Sequence, residues 1–483
     1  MLTMISFIKP NPFIGLIIAI FLTISCGSNN SGESANESRL QDSAVVRNET
    51  PTDSFPTGKV IPRVLCKSDP TESYALYIPA KDGNKILPVI YFFDPHGDGL
   101  LPVKKYKALA DTYHFILIGS NNSKNGNDWT ATEDIWKVLS DDSQKRLPID
   151  AKRIYPGGFS GGAKVATYIA LTHPDIRGVI AGGAALAEMA AKGKNLHFSF
   201  SGIVGQGDMN MTDLVAINNS LDKTATRHRL IFFDGKHEWA PESTMNIAFA
   251  GLQLDAMANK IEPADEHFIS QYVEESKGRI DAFLSKQNYL RAGDECKVAV
   301  SFLDGVTDKV NWFKEKDSQI QMNSAYKKQR QLTDELVATE NQIKEGFMQK
   351  FQQPDINYWN KEIKDVQMKA MANTANGAMY QRLQAYLSLA FYSFSNQLIN
   401  QNQDDGAKYF VELYKMADPA NPEAWYFSAI LDARENNAGA TQSDLNKSVA
   451  NGFNDKERLE KQSEFQRLGS KINLAAIEQK IKP

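Results

Sequence analysis

Three segments of this 483-residue chain carry the residue types of nucleophilic catalysis. Gly158-Phe159-Ser160-Gly161-Gly162 follows a strand-like run, Arg153-Ile154-Tyr155, and precedes a helical one, Lys164 to Ala170. That setting puts a serine on a tight strand-to-helix turn, where side chains at the flanking positions would collide with crossing backbone. It also puts the serine at a helix N-terminus, where the dipole favours developing negative charge. A hydroxyl is a poor nucleophile until a base takes its proton, so a histidine and an orienting carboxylate are expected downstream. Gly205-Gln206-Gly207-Asp208 closes one apolar run and Gly235-Lys236-His237 closes the next. His237 is the histidine placed to be the base: His173 ends the helix after Ser160, His197 and His228 stand at strand entrances, His114 precedes a strand, and His267 falls in a helical stretch. Asp208 is the expected acid, in competition with Asp213 a turn later and with Asp234, which is too near His237 in sequence to reach around it.

The tetrahedral intermediate of such a nucleophile needs two N–H donors for its oxyanion. Gly161 is the expected first, and the second is sought in the loop Asp94-Pro95-His96-Gly97-Asp98-Gly99. Pro95 has no N–H, which leaves His96 or Gly97. The polar run Asn121-Asn122-Ser123-Lys124-Asn125-Gly126 follows the next strand and is expected to line the substrate cleft, with Asn121 and Asn122 as the candidate substrate contacts. Trp239, two residues past His237, would wall the acyl pocket or pack the loop.

These residues need a buried scaffold. Residues 59 to 300 alternate short β-rich runs with helical stretches, the pattern of an α/β domain. The predicted strands are Tyr74–Pro79, Pro88–Asp94, Phe115–Gly119, Arg153–Gly157, Gly178–Gly182, Phe198–Gly205 and Arg229–Asp234; predicted helices include Val103–Tyr113, Ala163–Thr172 and Ser243–Asn259. Several strands are apolar without alternation, so a mostly parallel sheet covered on both faces is expected. After Cys296 the composition shifts towards Gln, Lys, Glu, Ala and Asn. A long helix is predicted from about Ser318 to Gln353, then helix pairs with turns at Asp418 to Pro422 and at Asn437-Ala438-Gly439. The pair opened by Pro422-Glu423-Ala424-Trp425 and closed by Asn451-Gly452-Phe453 resembles a degenerate tetratricopeptide unit, with Phe391 and Trp425 one repeat apart; a helical bundle without repeats fits equally. Either reading makes residues 301 to 483 an all-α domain.

The order GFSGG, GQGD, DGKHEWAP, with DPHGDG upstream, resembles the α/β-hydrolases, and within them secreted esterases related to polyhydroxybutyrate depolymerases and feruloyl esterases. The resemblance covers roughly residues 60 to 290. It implies nucleophile, acid and base roles for Ser160, Asp208 and His237 and acyl-enzyme cleavage of a small or polymer-linked ester. Asp94-Pro95 departs from the common His-Gly of that family at the oxyanion loop. A serine peptidase of the same fold is the nearest alternative. A catalytically silent scaffold acting through its helical domain is the alternative from another class.

Composition narrows the partners. The apolar fraction is 42%, the charged fraction 23% and the net charge -4, with no Lys/Arg run to track a phosphate backbone, so nucleic acid is not expected. The seven histidines and three cysteines show no metal-ligand spacing, and no nucleotide or redox cofactor is implied. Lys9, the apolar run Phe13 to Ile24 and then Ser25-Cys26-Gly27 read as a signal peptide. The run resembles a bacterial lipobox, with Thr23 where leucine is usual, so residues 1–26 are expected to be the leader of an exported lipoprotein anchored through Cys26. Residues 27–58 form a polar, disordered linker by composition. Cys66 and Cys296 remain, and a disulfide between them, closing the hydrolase domain, is expected in an oxidising compartment. The helical domain is the expected docking surface for any protein partner.

Overall fold

A computed structural model describes residues 53–80, 85–187 and 193–481. Cys26 and the apolar run before it fall outside the described residues. Among the described residues no helix is long and apolar enough to cross a membrane. The chain divides at Asp334/Glu335 into two compact units.

The first unit is built on eight strands: β1 (Ile61–Leu65), β2 (Ser73–Tyr77), β3 (Leu87–Phe93), β4 (Ile116–Ser120), β5 (Ile149–Phe159), β6 (Gly178–Gly182), β7 (Ser199–Gly205) and β8 (His228–Phe233). They lie in the order β1-β2-β4-β3-β5-β6-β7-β8. β2 runs antiparallel to both β1 and β4, and every other pairing is parallel. Strands β2, β3, β4 and β7 are buried at every residue, because helices cover both faces and the apolar side chains need no alternation. The covering helices are α1 (Leu100–Tyr113), α2 (Trp129–Arg146), α3 (Gly161–Thr172), α4 (Met211–Leu221) and α5 (Glu242–Ala258). Asp128 caps α2 by accepting from Ala131 N–H at 2.8 Å, satisfying one of the donors a helix start leaves unpaired.

Helices α6 (Glu266–Ser285), α7 (Tyr289–Leu303) and α8 (Val310–Met322) belong to the same core: Ile280, Leu290, Phe302, Phe313 and Ile320 are all buried in one cluster with Phe249 of α5. The helix predicted from about Ser318 to Gln353 is two. α8 stops at Asn323, whose side chain accepts from Ala325 N–H at 2.8 Å, and α9 (Ser324–Phe351) starts anew and crosses the division. Residues 53–58, counted with the polar linker by composition, are docked. Asp53 pairs with Arg146 at 2.9 Å and with Lys67 at 2.6 Å, and Gly58 N–H donates to Ile78 O at 2.8 Å.

Cys66 and Cys296 are both free and buried, against the expected disulfide. Cys66 follows β1, at one edge of the sheet. Cys296 sits in α7, which lies on the opposite edge: Ser301 of α7 donates to His228 O of β8 at 2.8 Å. Eight strands spaced ~4.8 Å put roughly 30 Å between those edges, while a disulfide needs Cα atoms within ~7 Å.

The second unit is helical: the later part of α9, α10 (Ile356–Ala370), α11 (Ala375–Asn400), α12 (Asp404–Ala417), α13 (Pro422–Arg434), α14 (Ala438–Ala450), α15 (Lys456–Lys461), α16 (Ser463–Leu468) and α17 (Leu474–Glu478). Trp359 anchors its core, fully buried and stacked on Phe351 at 5.0 Å. The predicted hairpin forms, with Asn421 capping α13, Pro422 at its first turn and Asn437 capping α14. Tyr426 rather than Trp425 faces the core, stacked on Phe453 at 4.5 Å. Trp425 is half-buried with Lys447 over its ring.

Candidate active site

The site forms where the strand order reverses. β3 lies between β4 and β5, so the chain leaves β3 in one direction and returns to its other side, opening a crevice beyond the carboxyl ends of those strands. Ser160 follows β5 there, and the Asp94–Gly99 loop follows β3. Asp208 lies beyond β7 and His237 beyond β8, at the same end of the parallel strands.

Ser160 has φ +54°, the left-handed region that an L-residue rarely enters. The flanking glycines make that turn possible. A side chain on Gly158 would run into the backbone of Gly162, and one on Gly162 would run into the carbonyl of Phe93 at the end of β3. Serine at a helix start ordinarily caps the helix with its hydroxyl, yet Ser160 makes no cap bond to α3. Its Oγ lies 2.9 Å from His237 Nε2 instead. His237 Nδ1 lies 3.0 Å from both oxygens of Asp208, whose side chain is buried. Asp208 Oδ1 also accepts from Asn210 N–H at 2.8 Å, and Asn210 Nδ2 donates to Gly183 O at 2.8 Å, so the carboxylate is held from its own loop. The Phe159 ring packs 4.6 Å from the imidazole.

A serine on a sharp turn from a parallel strand into a helix, with acid and base following in chain order on a covered sheet, is a recognised arrangement. This unit has the α/β-hydrolase fold. No protein-family model matches the chain, and no curated protein does. Similar solved structures include an S-formylglutathione hydrolase from Staphylococcus aureus, 13% identical, which covers 42% of this chain and 98% of that one with a TM-score of 0.34. An esterase from the archaeon Pyrobaculum calidifontis is 12% identical over 42% of this chain and 85% of its own, with a TM-score of 0.33. An S-formylglutathione hydrolase from Agrobacterium tumefaciens is 15% identical over 41% of this chain and 93% of its own, with a TM-score of 0.31.

Other expected site residues of the α/β-hydrolase unit have different employment. Asp213 is exposed on α4, and its charge acts on Lys164 of α3, whose ammonium burial pulls below its ordinary range. His96 N–H donates to Asp94 Oδ1 at 2.8 Å and Gly97 N–H to Asp94 O at 3.1 Å, so both expected oxyanion donors are taken up by their own turn. Asn121 and Asn122 turn back to the sheet edge rather than into the cleft. Asn121 Nδ2 donates to Pro62 O and Ser73 Oγ, both at 3.3 Å; Asn122 accepts from Ser73 N–H at 3.0 Å and donates to Thr71 O at 2.9 Å. They tie β4 to the β1-β2 hairpin. Trp239 packs the loop: its Nε1 donates to Asp94 Oδ2 at 2.8 Å, and its ring meets Phe92, Tyr106 and Phe159.

Two residues of those same loops, Asp94 and Asn125, stand at the site in ways the sequence does not spell out. Asp94, 4% exposed, joins the loop after β3 to the loop bearing His237 through Trp239. Its partner lies 145 positions away, so no local pattern could mark it. Asn125 lies within the polar run after β4 and is the member of that run that reaches Gly161. Among the described residues no three His, Cys, Asp or Glu side chains converge to hold a metal ion.

Proposed function

We propose that this chain is an exported serine hydrolase that cleaves a carboxylic ester through an acyl-enzyme. The observation that carries the reading is the continuous relay Ser160 Oγ, His237 Nε2, His237 Nδ1 and Asp208, at 2.9 and 3.0 Å, with the serine on a strained turn. Neutral His237 takes the hydroxyl proton as Oγ bonds to the ester carbonyl carbon, and Asp208 orients the ring and stabilises the imidazolium that forms. The tetrahedral oxyanion develops beside the Gly161 N–H, in the first turn of α3, where helix donors lack intrahelical acceptors. Imidazolium then gives its proton to the departing alcohol. Water, deprotonated by the same imidazole, attacks the acyl-serine and restores Ser160 with release of the acid.

The test is turnover of aryl and alkyl ester substrates by the purified chain. Wild-type turnover that falls to background in Ser160→Ala and in His237→Ala supports the reading, whereas Ser160→Ala that keeps its activity refutes it. The export part of the proposal rests on sequence: Cys26 carries the lipid that holds the enzyme on a membrane facing an extracytoplasmic space. Cys26→Ala should release the chain from the detergent phase, and mature protein without lipid at Cys26 would remove this part alone. The helical second unit is proposed to dock a protein partner or present substrate.

A further inference from the structure

Of the backbone donors expected for the oxyanion, Gly161, His96 and Gly97, one is left, where acyl transfer calls for two. Gly161 N–H is that one. In the loop after β3, Pro95 has no N–H, and the N–H groups of His96 and Gly97, the donors expected there, both close on Asp94. That turn is held firmly, since the other oxygen of buried Asp94 accepts from Trp239 Nε1 at 2.8 Å.

What stands over Gly161 is Asn125. A side chain at Gly161 would overlap the Asn125 carboxamide oxygen, with Cγ 2.9 Å and Nδ2 3.5 Å from the same point. The carboxamide therefore lies on the residue next to the nucleophile. Its backbone is fixed, because Asn125 N–H donates to Pro95 O at 2.8 Å and Lys124 N–H donates to Asn127 Oδ1 at 3.1 Å. The side chain is exposed and bonds to no described residue, whereas Asn121 and Asn122 in the same run are both spent on the β1-β2 hairpin. With its oxygen against the Gly161 Cα, the amide NH₂ is the end left to donate.

We infer that Asn125 is a further catalytic residue whose side-chain N–H supplies the second oxyanion donor, in place of the backbone donor that Asp94 takes up. The inference rests on the serine-hydrolase reading. A donor aimed at charge that develops only in the transition state raises kcat and leaves KM nearly unchanged. Removing a side-chain donor of this kind costs about 10²- to 10³-fold in kcat.

The experiment compares wild type with Asn125→Ala, Asn125→Leu and Asn125→Gln on one aryl ester, and measures inhibition by phenylboronic acid, whose tetrahedral adduct on Ser160 mimics the oxyanion. Ala and Leu should lower kcat about 10²-fold with KM within about threefold, and should weaken boronate binding. Gln, which keeps the amide, should recover part of both. If Asn125→Ala keeps kcat and boronate affinity within about threefold, or changes KM alone, the assignment of Asn125 is overturned while the hydrolase reading stands. Wild type without Ser160-dependent turnover overturns the hydrolase reading, and Asn125 with it.

Discussion

Ser160 sits at φ +54° and gives up the capping bond its hydroxyl would ordinarily make. A left-handed non-glycine residue costs roughly 1–3 kcal/mol, and the surrounding glycines and β3 hold it there. What the strain secures is a hydroxyl pointed at His237. The acid was the open choice in the sequence, since Asp208 and Asp213 lie five positions apart and both follow β7. Geometry separates them: Asp208 is buried with both oxygens 3.0 Å from Nδ1, and Asp213 is exposed on α4. Asp208→Asn should therefore lower kcat on the order of 10⁴-fold and Asp213→Asn by less than about threefold, measured on the same ester. The reverse order would move the acid to Asp213. That Ser160, His237 and Asp208 come together was legible because each ends an apolar run in a motif of its own. Asn121 and Asn122 were misread because sequence places a polar run after a strand without saying which side chain turns back to the sheet.

Among the elements, the seven strands expected from apolar runs all form, each within a few residues of its predicted bounds. β1 was missed because Ile-Pro-Arg-Val-Leu at the sheet edge buries one residue of five and so has no apolar run to show. Helix α5 does more than cover the sheet. Asp255 on α5 pairs with Arg229 of β8 and lies 3.5 Å from Arg227, and the Arg229 guanidinium stacks 3.9 Å over Phe302. Arg229 and Asp255 are both buried, so this cluster fixes the strand that ends before His237. Asp255→Ala leaves an uncompensated buried charge and should destabilise the chain by about 3–5 kcal/mol in denaturant unfolding. A loss below about 1 kcal/mol would mean that water reaches the cluster.

For the whole molecule, composition marked a change after Cys296, whereas α7 and α8 pack with the sheet and the units divide at Asp334/Glu335. The shift in composition reflects the end of the strands, and a helix laid on a sheet has the same residue types as one in a bundle. The two thiols are a property of the entire first unit, one near each edge of its sheet. Burial first, and then Asp142 beside Cys66 and Asp317 beside Cys296, push both thiols up from 9.0 to about 12. The folded state thus keeps protons that the unfolded chain releases, so this contribution to stability is present below pH 9.0 and is lost as pH rises towards about 12. Unfolding midpoints should fall across that window. Alkylation without reductant should label two thiols in denatured protein and neither in native protein below pH 9.0. Denatured protein that resists labelling would restore the disulfide.

Ser160, on its turn and bonded to His237, is proposed as the group that takes the acyl chain. Reaction of the folded chain with a fluorophosphonate, followed by peptide mass spectrometry, tests it without knowledge of the substrate. One stoichiometric adduct is expected on Ser160, absent in Ser160→Ala and formed far more slowly in His237→Ala. A folded chain that takes no adduct, or takes it on another residue at the same rate in Ser160→Ala, would contradict it.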